Sequence, residues 1–252
     1  NVRWSFRESS GAVGWKNVCD AEKRNEADNL MKLLLANLSD MVDDTGGLAK
    51  VHCSFANEMK QRGHDVAMVF CDDKIGKPFF PVDDGVELYN LQHYEDTDIL
   101  FPKCLKVKRE IIRAFSTQRA RAVNNEFVEE YLLKSANSIL HKFSPDIIIS
   151  FQPAASKLFL CDLETKIPVI TMNHGTTEDI FHIYPQAEIP ALGKSAACQV
   201  LLPIFAEPIK KRFPKMKIAV IGNVVPQYEE AAELARAKEQ YKILFIGRLV
   251  KK

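Results

Sequence analysis

The residues best suited to chemistry stand where apolar runs stop. Ile167-Pro168-Val169-Ile170-Thr171-Met172 is followed at once by Asn173-His174-Gly175. A histidine at a strand end beside a glycine stands at the rim of a sheet, where its ring can hydrogen-bond a polar ligand. A lone histidine serves structure as readily, so both readings stand. Gly46-Gly47 closes the loop Ser39-Asp40-Met41-Val42-Asp43-Asp44-Thr45 and opens a helical pattern. Adjacent glycines there permit close backbone approach, and the free amides with the positive dipole end favour an anion such as phosphate. The same residues suit a tight turn with Thr45 as helix cap. Neither G-x-G-x-x-G nor a P-loop is present, so nicotinamide and Walker-type nucleotide readings lose their main support.

Other groups say less. Gly222-Asn223-Val224-Val225-Pro226 ends another apolar run and suits a plain turn. The pairs Asp43-Asp44, Asp72-Asp73 and Asp83-Asp84 fall in loops without ligand spacing and read as solvated turns or capping groups. Six cysteines, Cys19, Cys53, Cys71, Cys104, Cys161 and Cys198, form no C-x-x-C pair and have no histidine at zinc spacing, so reduced thiols of a cytosolic protein and no metal site are expected.

The densest charge is Lys103, Lys106, Lys108, Arg109, Arg113, Arg119 and Arg121, opposed only by Glu110 and interleaved with Leu105, Ile111, Ile112 and Phe115. Such a basic amphipathic segment suits an anionic membrane surface or an anionic acceptor. A solvated helix packed by its apolar side is the alternative. The whole chain balances 34 Lys+Arg against 33 Asp+Glu for a net charge of +1, so no global basic field is available to hold nucleic acid. No apolar run approaches the length of a membrane span, and no secretory signal pattern opens the chain.

The elements that must carry these residues alternate. Apolar runs at 32–38, 65–70, 86–90, 146–150, 167–171, 198–202 and 217–221 read as strands, and 46–62, 103–117, 121–142, 153–161, 205–212 and 228–239 as helices. In the first helix Leu48, Val51, Phe55 and Met59 recur at helical spacing. Continuous Val/Ile/Leu/Phe runs are those of strands buried on both faces, so the expected fold is α/β, a Rossmann-like doubly wound parallel sheet. Ligands of such sheets bind beyond the carboxyl ends of the strands, here the loops at 39–46, 151–153, 172–178, 203–205 and 222–227. Residues 1–30 are polar and unpatterned and read as a non-native or flexible extension, with Met31 as the natural start. Tyr241 to Leu249 reads as one more buried strand.

Taken together, these pieces resemble the retaining GT-B glycosyltransferases of the glycosyltransferase 4 type. The resemblance is carried by Met31-Lys32-Leu33-Leu34-Leu35, Gly46-Gly47 with Gln61-Arg62-Gly63-His64-Asp65-Val66, and Ser144-Pro145-Asp146-Ile147-Ile148-Ile149. It continues through Ile167 to Gly175, Ile218-Ala219-Val220-Ile221-Gly222-Asn223-Val224-Val225 and Ile243-Leu244-Phe245-Ile246-Gly247-Arg248-Leu249. It implies that residues 31–241 are the N-terminal, acceptor-side half of a GT-B fold and 242–252 the first strand of a donor-binding domain. It also implies sugar transfer from a nucleotide-sugar to an acceptor hydroxyl with retention and without a required metal or cofactor. By that resemblance His174 is the active-site histidine at the donor sugar. Gly46 and Gly47 face the donor phosphates, and Arg248 neutralises the leaving diphosphate with a lysine near Lys251 or Lys252. Only Asn223 matches where the family usually has Pro-Asn-Gly-Val-Asp, and this stretch alone is expected to be inactive. Implied partners are the nucleotide-sugar and a saccharide or lipid-linked acceptor; the basic segment read above offers Lys103, Lys106, Lys108, Arg109 and Arg113 as a contact for an acceptor or for an anionic membrane. Cell-envelope or polysaccharide synthesis on the cytoplasmic side is the implied setting. A non-catalytic acceptor- or membrane-binding module, or another nucleotide-sugar enzyme such as an epimerase, is the alternative.

Overall fold

A computed structural model of the chain describes residues 30–223. The expected N-terminal extension, the helix at 228–239, and the last strand with Arg248 and Lys251-Lys252 lie outside the described residues.

All seven strands expected within that range form: β1 (Lys32–Asn37), β2 (Asp65–Phe70), β3 (Glu87–Asn90), β4 (Ile147–Ser150), β5 (Val169–Asn173), β6 (Ala197–Val200) and β7 (Ile218–Val220). They make one sheet in the order β3-β2-β1-β4-β5-β6-β7, with every neighbouring pair parallel. This is the Rossmann-like doubly wound arrangement, and its strand order reverses between β1 and β4. β5 begins two residues later than the sequence suggests. Pro168 has no N–H to give to a ladder, and its carbonyl instead accepts from the Ile148 amide at 2.9 Å. The strand therefore runs through Asn173, and His174 is the first residue past it.

Alternate side chains of β1 feed two separate cores. Leu34 and Ala36 join Ile148, Val69 and Leu158 on one face, while Leu33 and Leu35 join Met68, Ile149 and Phe151 on the other. That second face is covered by α1 (Gly47–Gln61), whose buried residues are Ala49, His52, Cys53 and Ala56. The stripe expected from the sequence, Leu48, Val51, Phe55 and Met59, is only half-buried and borders this narrower seam. Small residues along the seam let the helix lie close to the sheet, and the large ones fill its margins.

After β3 come α2 (Lys103–Arg113) and α3 (Thr117–Phe127). A single helix to residue 117 is not formed, because the Ser116 hydroxyl accepts from the Arg119 amide at 3.3 Å and starts α3 as its N-cap. A π-helical turn at Val128–Leu132 joins α3 to α4 (Leu133–Phe143), which ends at Ser144 in the left-handed region before Pro145. α5 (Pro153–Lys157) runs into a second π turn at Leu158–Asp162. Lys157 joins the two turns: its buried Nζ lies 2.5 Å from Glu129 Oε1 and 2.7 and 2.8 Å from the two Asp162 oxygens. α6 (Thr177–His182) and α7 (Ile189–Lys194), the latter absent from the sequence reading, precede β6, and α8 (Ala206–Arg212) precedes β7. The five described cysteines are free thiols; burial pushes Cys53 up to about 11 and Cys198 up to about 12. No helix among the described residues is long and apolar enough to cross a membrane.

Candidate functional site

The strand order reverses between β1 and β4, and sheets of this kind bind ligands beyond the carboxyl ends of their strands; Gly46 and Gly47 follow β1 and His174 follows β5. Ser150 of β4 pairs with Thr171 of β5. That register brings Phe151 within reach of His174: their rings stack at 5.7 Å between centroids and 4° between planes. Phe151 also meets His52 of α1, at 4.4 Å. One aromatic ring thus supports two imidazoles, one at the rim and one in the core.

His174 is partly buried. Desolvation lowers its pKa, opposed by a hydrogen bond from its ring to the Asn223 side chain. Nε2 is buried and has no partner among the described residues. A neutral imidazole with one free nitrogen at a cleft edge can give or accept one hydrogen bond from a ligand. Next to it, Asn173 uses Oδ1 to accept from the Gly175 amide at 3.2 Å, while its buried Nδ2 is likewise unpartnered. Unsatisfied buried groups are rare in folded proteins and call for a cause; two on consecutive residues point to a ligand position. Gln152 ties the opposite lip, donating from Nε2 to Asn37 Oδ1 at 2.7 Å and to Ser39 Oγ at 3.2 Å.

Gly46 and Gly47 differ in role. Gly46 is the N-cap of α1, no side chain caps the helix, and Thr45 does not serve as one. The Gly46 amide donates to Asp44 Oδ1 at 2.7 Å, and a Cβ on Gly46 would lie 2.8 Å from that oxygen. A Cβ on Gly47 would meet nothing within 4 Å. Open space therefore lies in front of the second glycine, beside the first-turn amides that have no partner inside the helix.

The ground in front of the first glycine is acidic. A cleft of about 400 Å³ is lined by Ser39, Asp40, Asp43, Asp44, Asp72, Asp73 and Lys74. Burial raises the Asp40 pKa, and the carboxylates of Asp72, Asp73 and Asp44 raise it further. Asp72 is no solvated turn residue: it is buried, its Oδ2 accepts from the Met41 and Val42 amides at 2.7 and 2.8 Å, and its Oδ1 accepts from the Lys74 amide at 2.9 Å. It moors the loop after β1 to the end of β2. Lys74 answers Asp43 at 2.5 Å. Among the described residues no group of three His, Cys, Asp or Glu side chains is disposed to hold a metal ion. Carboxylates accept hydrogen bonds only, so the cleft suits a ligand rich in hydroxyl donors and opposes a dianion placed at Gly46.

The basic residues Lys103, Lys106, Lys108, Arg109 and Arg113 all belong to α2 and none lines the cleft. The sequence reading missed His52, and it named the loop 151–153 without singling out Phe151 or Gln152. Phe151 carried a signal, because it follows β4 as His174 follows β5.

No family model and no curated protein matches this sequence. Solved structures do match. Sucrose-phosphate synthase from Thermosynechococcus elongatus aligns with a TM-score of 0.50 at 10% identity, over 76% of this chain and 47% of that one. The lipopolysaccharide outer core galactosyltransferase WaaB in its apo form aligns with a TM-score of 0.45 at 14% identity, over 77% and 46%. The chain spans about half the length of these proteins, and the likeness to the synthase is one of fold.

Proposed function

We propose that residues 31–241 form the acceptor-side half of a GT-B glycosyltransferase that moves a sugar from a nucleotide-sugar to an acceptor hydroxyl with retention. Residues 242–252 begin its donor-binding half. The observation that carries this reading is His174: a neutral imidazole at the rim of the strand-order reversal, stacked on Phe151, with Nε2 buried and unpartnered. The fold shared with sucrose-phosphate synthase supports it, as does the sequence resemblance that matches His174 to an active-site position.

Each group has a role on this reading. His174 hydrogen-bonds the donor sugar, held in orientation by Asn223 and Phe151. The open amides at Gly47 face the diphosphate, and Arg248 meets the charge that develops as the nucleotide leaves. The carboxylates of the acidic cleft accept from the hydroxyls of a saccharide acceptor. No divalent ion is required in this scheme, and envelope or polysaccharide assembly at the cytoplasmic face of a membrane is its setting.

The test is transfer by the protein at its natural length, with a panel of nucleotide-sugars and saccharide acceptors, read by product NMR for anomeric configuration. His174→Ala lowers kcat by about a hundredfold or more, the loss expected when a transition-state hydrogen-bond donor is removed, and EDTA leaves the wild type active. Unchanged turnover in folded His174→Ala overturns the assignment, and strict dependence on added Mn²⁺ overturns its metal-free form.

A further inference from the structure

The second surface is α2, which has no buried residue although it is rich in aliphatic side chains. Its inward side is Leu105, Arg109 and Ile112. Leu105 packs on the core, and the Arg109 guanidinium lies 4.8 Å over the Phe101 ring while donating to Asn124 Oδ1 of α3 at 3.0 Å. Lys108 adds an ion pair to Glu126 of α3 at 2.5 Å. The helix is therefore fixed in rotation.

That rotation turns a second apolar stripe outward. Cys104, Val107 and Ile111 lie within about 60° of one another on the helix, with Lys103 and Lys108 bordering them at about 40° on either side and Lys106 and Arg113 beyond Lys103. Val107 and Ile111 are each 60% exposed, and Phe115, in the turn between α2 and α3, is 87% exposed. Glu110, the one acid of α2, is engaged by Arg113 at 2.8 Å. Among the described residues Lys103, Lys106 and Arg119 make no ion pair.

We propose that this face docks the protein on an anionic lipid surface, with Val107, Ile111 and Phe115 entering the headgroup layer and the flanking lysines and arginines meeting lipid phosphates. Three features select that occupant. The apolar stripe is central and the cations peripheral, the pattern of helices lying in a membrane interface. A nucleic acid would need the cations at the centre. A second copy of the same face would bring two excesses of positive charge together, so charge complementarity excludes self-pairing. The proposal is independent of the transferase reading, since none of these residues lines the cleft.

The experiment is flotation of the 252-residue chain with vesicles of phosphatidylcholine alone and of phosphatidylcholine containing one part in four phosphatidylglycerol. Recovery on the anionic vesicles only, reduced by high salt, is expected. Lys103→Gln with Lys106→Gln weakens partitioning about twenty-five-fold, at about fivefold per cation. Ile111→Asp or Phe115→Ser weakens it by about tenfold or more, and both positions are exposed, so circular dichroism of the variants should match the wild type. Equal recovery on the two vesicle types overturns the proposal, as does undiminished binding by folded Ile111→Asp or Phe115→Ser.

Discussion

His52 makes the pH dependence of stability a sharp test of the packing around the site. It is fully buried on α1 against Phe151, among the described residues neither ring nitrogen makes a well-formed hydrogen bond, and desolvation lowers its pKa from 6.5 to about 3, opposed by the nearby Leu35 backbone and aided by His174. A histidine depressed in this way contributes stability that is complete above its unfolded pKa and is lost as pH falls from 6.5 toward 3. The slope is about 1.4 kcal/mol per pH unit, so acidification from about pH 6.5 to about pH 5 costs about 2 kcal/mol. Glu188 acts in the opposite sense. Burial raises it from 4.5 to about 7, against a hydrogen bond from Asn125 and the charges of Arg121 and Lys157. A carboxyl raised when folded favours the folded state increasingly as pH falls from 7 to 4.5, by about 3 kcal/mol across that window. The two terms nearly cancel in the wild type. Replacing one at a time exposes the other: Glu188→Gln, which keeps an acceptor for Asn125, loses about 2 kcal/mol between about pH 6.5 and about pH 5, whereas His52→Leu gains stability over the same interval. Urea unfolding followed by circular dichroism measures both, and comparison with the wild type removes the contribution of every other group. Identical pH slopes for wild type and His52→Leu would refute the reasoning, because an imidazole kept neutral by burial cannot leave the slope unchanged when it is removed.

Two further predictions concern parts of the fold remote from the cleft. Lys157→Met leaves Asp162 and half-exposed Glu129 without their cation and costs about 2–3 kcal/mol, below the range for a wholly buried pair, measured as a shift of the urea midpoint; no shift would mean the two π turns are held by packing alone. Gly193→Ala brings a Cβ to 2.7 Å from the Phe213 ring and costs about 1–2 kcal/mol, and an unchanged midpoint would show that the ring yields freely.

The central strands were legible because they are buried on both faces and so read as unbroken apolar runs, as in Leu33-Leu34-Leu35 and Ile147-Ile148-Ile149. Their ends were legible only to within a residue or two: the run at 167–171 forms Val169–Asn173, which leaves His174 the first residue past the strand. The ring stack was not, because it depends on the pairing of Ser150 with Thr171 and on the rotation of α1, neither of which a single strand or helix encodes. On α1 the large residues mislead: Leu48, Val51, Phe55 and Met59 outline the margin, while the buried seam is Ala49, His52, Cys53 and Ala56. The π turns were hidden for a related reason. Each shifts the helical phase relative to a 3.6-residue period, bringing Glu129 and Asp162 to Lys157, yet local sequence looks the same whether or not the shift occurs. The break at Ser116 had a readable sign in its capping hydroxyl, and α7 was obscured by Pro190 and Gly193, residues that ordinarily mark loops.

The near-neutral net charge conceals two poles, and their separation constrains the proposed chemistry. At the end of α1 the helix dipole offers an anion about 0.3–1 kcal/mol. The carboxylates of Asp40, Asp43, Asp44, Asp72 and Asp73 line the adjoining cleft, and the Asp40 pKa is raised first by burial and then by the charges of Asp72, Asp73 and Asp44. Asp44 has already taken the Gly46 amide. On the proposed reading a diphosphate comes in from the open side at Gly47, where the dipole alone is too weak to hold it. That reading needs a further positive charge, which is the role proposed for Arg248. On the same reading the acidic pole serves hydroxyl donors, and the cations that the average hides are gathered on α2, whose residues do not line the cleft.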